Sequence, residues 1–144
     1  MCINKEAPMV DKKQRHLPRP TPETLHFWDG TRSGELRLQK CDDCGAVYFP
    51  PRPFCPECSN RNVSVFAASG RATLYSYVIS NIPAPGLEPP FSVAVVTLEE
   101  GPRLMTNIVG CDQTPEALTL DMPLEVTFEA QSDEITLPFF KPAG

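Results

Sequence analysis

No apolar run in this 144-residue sequence approaches the roughly 18–20 residues that a membrane-spanning helix requires. The N-terminal stretch MCINKEAPMVDKKQRHLPRP holds no apolar h-region, so no secretory leader is expected and the expected compartment is the cytoplasm. Histidine is scarce, with two residues, and tryptophan scarcer, with one. Positive charge is not in excess either: 13 Lys and Arg face 18 Asp and Glu, for a net charge of −5. The charge is uneven, with +3 over residues 1–40, −2 over 41–58 and −6 over 59–144. Duplex nucleic acid calls for clustered Lys and Arg, so the acidic C-terminal half disfavours a general nucleic-acid function. Proline is what the chain has in plenty: 17 residues, which excludes a long helical bundle. The length allows one ordinary domain, or a small core with an appendage.

The six cysteines are ordered. Cys41 and Cys44 form CDDC, Cys55 and Cys58 form CPEC, and the whole reads C-x2-C-x10-C-x2-C. Each C-x2-C turn places two sulfurs on one side of a tight loop, and two facing loops supply four thiolates in tetrahedral geometry. A closed, soft S4 set favours zinc or a single iron over hard cations, and the spacing does not separate the two. Two structural disulfides are the competing reading, against which stand the missing leader and the awkward geometry of bridging within a C-x2-C pair. With all four ligands drawn from protein, the metal is expected to be structural and to stabilise a segment too short for a core of its own. Cys2 falls in the charged N-terminal stretch, and Cys111 follows the apolar run LMTNIVG as a small hydrophobe without an evident base beside it.

Residues 1–20 lack periodicity and read as a flexible arm. Thr21-Pro22-Glu23 reads as N-cap, first helical position and first-turn acid of a short helix, with Leu25 and Trp28 on one face and Gly30 or Gly34 at its end. Glu35–Gln39 alternates as the strand leading into the first knuckle. Helix and ribbon together make residues 21–66 one unit. From residue 67 to 144 the signals are β: 73–79, 91–98, 103–110, 124–129 and 135 onward, with one helical turn at 114–118. Five strands in about 70 residues fit a small OB-type barrel, with a β-sandwich as the alternative. The expected fold is therefore mainly β, an N-terminal helix and rubredoxin-like ribbon followed by a five-stranded OB-fold barrel.

The segments FWDG (27–30), CDDCG (41–45), FPPRPFCPEC (49–58), GRATLYSY (70–77), VAVVTLEEGPRLMTNIVG (93–110), DMPLEVTFE (121–129) and LPFFKPAG (137–144) occur in this order. Together they resemble the DUF35 family, in which a rubredoxin-like zinc ribbon precedes an acyl-CoA-associated OB-fold domain. One departure is Asp121, where that family leads one to expect Gly before the Met-Pro pair; Asp also serves a turn. The resemblance implies a non-catalytic accessory subunit in a hetero-oligomer with a thiolase-fold enzyme, of which benzoylsuccinyl-CoA thiolase is one example. It also implies structural zinc and a CoA thioester as ligand in a degradative pathway.

The side-chain inventory points the same way. Thiolysis needs a free nucleophilic Cys and His residues at an oxyanion site. Here four thiols are spoken for by metal, and the two histidines, His16 and His26, both precede the ribbon. For a CoA ester the candidate cations are Arg52, Arg71 and Arg103, with Tyr75, Tyr77 and Phe91 as flat contacts. An exposed, solvated side chain is the competing reading for each Arg. Arg52 stands out because its proline neighbours hold the backbone rigid. The proline loop 82–90 reads as a partner-facing surface or a stiff connection. Two rivals remain: a single-strand nucleic-acid module, since ribbons and OB folds also serve there, and an iron-containing redox protein.

Overall fold

The computed structural model of the chain describes residues 15–144. Of the expected flexible arm, residues 1–14, including Cys2, lie outside the described residues, and 15–20 have no regular secondary structure. The chain then makes a turn in which the Thr24 amide donates to the Thr21 carbonyl at 3.0 Å. Helix α1 follows at Leu25–Arg32. It starts three residues later than the sequence pattern suggests, with Thr24 in place of Thr21 at the N-cap position, and the Thr21 and Thr24 side chains hydrogen-bond each other in that turn rather than capping the helix. Its buried residues are Phe27, Gly30 and Thr31, whereas Leu25 stays exposed. Phe27 packs edge-on against Trp28 and tilted against Phe49, with ring centroids 4.9 and 5.3 Å apart.

Strands β1 (Arg37–Cys41), β2 (Val47–Tyr48) and β3 (Val63–Ala67) form an antiparallel sheet with β1 in the centre. Strands β4 (Arg71–Ser80), β5 (Phe91–Leu98), β6 (Arg103–Thr106), β7 (Pro123–Ala130) and β8 (Thr136–Pro142) form a second sheet in the order β6-β5-β4-β7-β8. In β5 the alternation is strict: Ser92, Ala94, Val96 and Leu98 point inward and are buried, while Val93 and Val95 on the other face are half-buried. A register shift between Leu74 and Ser76 marks a bulge at Tyr75. It moves the inward set of β4 from Ala72 and Leu74 to Tyr77 and Ile79, which bends the sheet.

This curled sheet is an OB-like half-barrel. A parallel bridge between Ile108 and Phe140 joins its two ends, with the Val109 amide on the Phe140 carbonyl at 2.8 Å and the Phe140 amide on the Asn107 carbonyl at 3.2 Å. Further along the seam the chain approaches only through the Thr106 hydroxyl, 3.2 Å from the Pro138 carbonyl, since Pro138 has no N–H to give. The turn at 114–118 buries Leu118, and Phe140 is fully buried among Leu74, Val96, Ile108 and Leu124. The helix, ribbon and barrel share that core: Phe27, Leu36 and Leu38 belong to the same apolar cluster as the barrel residues. Asp121 adopts φ 65°, a left-handed conformation that explains why glycine suits this position. Its amide donates to the Leu74 carbonyl at 2.7 Å.

Candidate metal centre and flanking arginines

Two knuckles of matching backbone form the ribbon's tip. In the first, the Gly45 amide donates to the Cys41 carbonyl at 2.9 Å and the Cys41 amide to the Ala46 carbonyl at 2.8 Å. In the second, the Ser59 amide donates to the Cys55 carbonyl at 2.9 Å and the Cys55 amide to the Asn60 carbonyl at 2.8 Å. Gly45 and Ser59 occupy equivalent places, with φ of 78° and 65°. Amides also approach the sulfurs, Cys44 N–H to Cys41 Sγ at 3.5 Å and Glu57 N–H to Cys55 Sγ at 3.4 Å.

The four Sγ atoms of Cys41, Cys44, Cys55 and Cys58 all lie within 4.8 Å of one another. The Cys41–Cys58 and Cys44–Cys55 separations are both 3.6 Å. A tetrahedral site with Zn–S bonds of about 2.3 Å requires sulfurs about 3.8 Å apart, so this donor set fits zinc. Cys41 and Cys55 are buried, and Cys44 and Cys58 face outward. The amides of Cys58 and Glu57 favour the Cys55 thiolate and bring it down to about 7. The Ala46 amide favours the Cys44 thiolate too, but the neighbouring sulfurs outweigh it and push Cys44 up to about 12. One thiol therefore ionises readily and resists ionisation of the next; a divalent cation between them relieves that repulsion. Burial, with Cys55 and Cys41 adding to it, pushes the Tyr48 phenol up as well.

The connector between knuckles is pinned through both backbone polar groups of one residue, Arg52. The Arg52 amide donates to Gln39 Oε1 at 2.7 Å, and the Tyr48 hydroxyl donates to the Arg52 carbonyl at 3.0 Å. The Arg52 side chain is exposed and forms no ion pair among the described residues. Arg71 is held differently: its guanidinium pairs with Glu99 at 2.7 Å, both side chains being exposed. Hydrogen bonds from Ser69 and then from Arg71 hold the Glu99 carboxyl below its ordinary value. Arg103 lies 3.7 Å over the ring of Tyr75 and donates to Thr97 Oγ1 at 3.4 Å. The fold thus brings Arg103 to Tyr75 and Arg71 to Glu99, on the barrel, and leaves Arg52 apart on the ribbon. Tyr77 faces the core, and Phe91 is half-buried. Cys111 is half-buried, and burial raises its thiol.

His26 is half-buried, and its Nε2 has no hydrogen-bond partner among the described residues. Burial, and then the nearby Arg37 charge, lower it below its ordinary value of 6.5, with Asp29 acting in the opposite sense. Two polar anchors gave no sequence signal. Gln39 fixes the connector from an alternating strand, and Asn107 ties β5 to Arg15 through bonds of 2.6 Å to the Ser92 carbonyl and 2.7 Å from the Arg15 guanidinium. Both lie far from their partners in sequence, where no spacing rule reaches.

Residues 28–64 match the family described as "ChsH2, rubredoxin-like zinc ribbon domain", and residues 66–129 match "ChsH2, C-terminal OB-fold domain". A probable enoyl-CoA hydratase alpha subunit of Thermomonospora curvata is 33% identical over 96% of this chain, which spans 44% of that subunit's own length. A "DUF35 domain-containing scaffold protein" of Methanothermobacter thermautotrophicus is 36% identical over 78% of this chain and 86% of its own. Benzoylsuccinyl-CoA thiolase subunit BbsA of Thauera aromatica is 28% identical over 83% of this chain and 85% of its own. Among solved structures, a chain of the "Ltp2-ChsH2(DUF35) aldolase" superposes with a TM-score of 0.80 at 32% identity, covering 89% of this chain and all of that one.

Proposed function

We propose, given that this chain belongs to the DUF35 family of zinc-ribbon and OB-fold proteins, that it is the non-catalytic accessory subunit of a cytoplasmic thiolase-fold enzyme acting on a CoA thioester. The observation that carries this reading is the outer face of β4, β5 and β6. There Val78 is 63%, Met105 72% and Tyr75 48% exposed, beside half-buried Val93 and Val95. An apolar patch of this kind supports a protein partner's footprint on this face. The relatives' names support the partner's chemistry: an enoyl-CoA hydratase subunit and a benzoylsuccinyl-CoA thiolase subunit are named for CoA esters, and the solved neighbour is named an aldolase.

In this reading Cys41, Cys44, Cys55 and Cys58 hold one zinc ion, which stabilises the ribbon and leaves no position for substrate. The ribbon, residues 21–66, then presents Arg52 on a fixed backbone, where a guanidinium can meet a CoA phosphate at low entropic cost. Arg71 and Arg103 would have to leave Glu99 and Tyr75 to do the same, so they contribute less. Nucleophile and base come from the partner, because the four ribbon thiols are committed to metal and His26, on α1, is half-buried near the Arg37 charge.

Co-expression with a thiolase-fold protein encoded nearby, followed by native mass spectrometry, tests the reading. A hetero-oligomer with one zinc per copy of this chain, and partner C–C cleavage that requires it, is the expected result. A lone monomer that adds nothing to the partner's turnover overturns it.

A further inference from the structure

A second feature lies away from the ribbon tip. Between α1, the connector and the loosely bonded part of the barrel seam is a cleft of about 390 Å³. Its apolar walls include Phe27, Trp28, Phe49, Leu104, Pro138 and Phe139. That volume falls within the roughly 300–1,000 Å³ of small-molecule sites. The cleft exists because β6 and β8 part below the Ile108–Phe140 bridge, while Phe27 and Phe49 roof the gap from the other side.

Arg15 stands at the edge of this cleft and of a smaller one beside it, about 280 Å³. Its guanidinium lies 5.0 Å over the Phe139 ring and gives one hydrogen bond, 2.7 Å to Asn107 Oδ1. Asn107 is in turn locked by its 2.6 Å bond to the Ser92 carbonyl. Burial lowers the Arg15 pKa, and the charge of Glu129, which shares the smaller cleft, opposes it. Yet among the described residues Arg15 forms no ion pair. A guanidinium carries five donors, and here Glu129 acts on it only through space, so among the described residues most of its donors are left for a ligand.

We propose that this cleft binds a small apolar carboxylate, its body between Phe27, Trp28 and Phe139 and its carboxylate on Arg15. An anionic occupant suits the cleft because Arg15 is the charged residue that lines it, beside the neutral Thr24, Thr106 and Asn107, and an apolar body suits the rest of its walls. A planar carboxylate matches the remaining guanidinium donors. The walls of the cleft all belong to this chain, although its rim residue Met105 also belongs to the outer face assigned to the partner, so binding is tested on the chain alone.

Trp28 is the sole tryptophan of the chain and lines the cleft, so its emission reports occupancy directly. The full-length, zinc-loaded protein is titrated with 3-phenylpropanoate and with neutral 3-phenylpropanol. The carboxylate should give a saturable change in Trp28 emission at a concentration at least tenfold lower than the alcohol. Arg15→Gln should erase that tenfold preference while leaving the weak alcohol response in place. Met105→Glu, a change at an exposed position on the rim, should weaken the carboxylate alone. No saturable response, equal responses to acid and alcohol, or an undiminished preference in Arg15→Gln would each overturn the proposal. So would Trp28 emission that shifts with a partner enzyme and not with the carboxylate, because the cleft would then be a protein interface.

Discussion

The backbone of Arg15 crosses Gly86 so closely that a β-carbon on Gly86 would stand 2.6 Å from the Arg15 nitrogen and 2.8 Å from its Cα. Gly86 also has φ 73°, so two independent constraints favour glycine there. The contact fastens the N-terminal segment across the end of the barrel, where Arg15 reaches Asn107 and Phe139.

Gly86→Ala should therefore release that segment. The left-handed backbone alone costs ~1–2 kcal/mol with a side chain, and the steric conflict adds to it. Limited trypsin digestion should cut after Arg15 markedly faster than in the parent protein, with a modest fall in Tm; Arg19 precedes Pro20 and resists the enzyme.

Removal of the metal should reach beyond the ribbon. Phe27, Leu36 and Leu38 belong to the apolar cluster that fills the barrel, so melting β1–β3 strips one side of the barrel core. Cys41→Ser, or a strong chelator, should lower the Tm by well over ~10 °C. Adding zinc back should restore the chelated protein but not the variant, as followed by circular dichroism and metal content.

Phe140 closes the barrel twice, by its backbone bridge to Ile108 and by a side chain that is 0% exposed. Phe140→Ala should cost ~3–5 kcal/mol, measured by urea unfolding. The exposed Leu25→Ala should leave the same midpoint nearly unchanged.

His26 gives stability a pH dependence of definite sign. Its folded pKa lies below the ordinary 6.5, for burial and Arg37 disfavour the charged form more than Asp29 favours it. The unfolded chain thus binds more protons as pH falls through 6.5, and the folded state loses stability below that point. His26→Gln should flatten the Tm profile on the acid side of pH 6.5 and leave it unchanged at pH 8.

The arginines should separate by function. Arg52→Ala should weaken the complex's affinity for CoA esters about tenfold, as expected on losing one charge-assisted phosphate contact. Arg71→Ala breaks a solvent-exposed pair with Glu99 and should leave both affinity and Tm close to those of the parent. Isothermal titration of the assembled complex distinguishes the two.

The metal centre was legible because its chemistry is local. Four cysteines at fixed spacing define two turns, and the turns aim their own sulfurs whatever surrounds them. The strands of the barrel were legible for a similar reason: β5 matches its sequence pattern at both ends, since a β-rich run of eight residues, apolar on both faces, suits a strand inside the sheet. The helix start was misplaced because Thr21, Pro22 and Thr24 satisfy a turn as well as a cap, and the choice fell to the packing of Phe27 on Phe49.

By itself, then, the sequence determined the ligand set of the ribbon, the order of the strands along the chain and the family to which they belong. Tertiary structure decided what each cation does. Arg71 found Glu99, Arg103 found Tyr75, Arg52 was fixed through Gln39, and Arg15, in a segment without pattern, became the charge at the mouth of an apolar cleft. The reason is range: a thiolate turn or a strand is set by neighbours a few residues away, whereas Arg15 and Asn107 are 92 positions apart and meet only when the barrel curls.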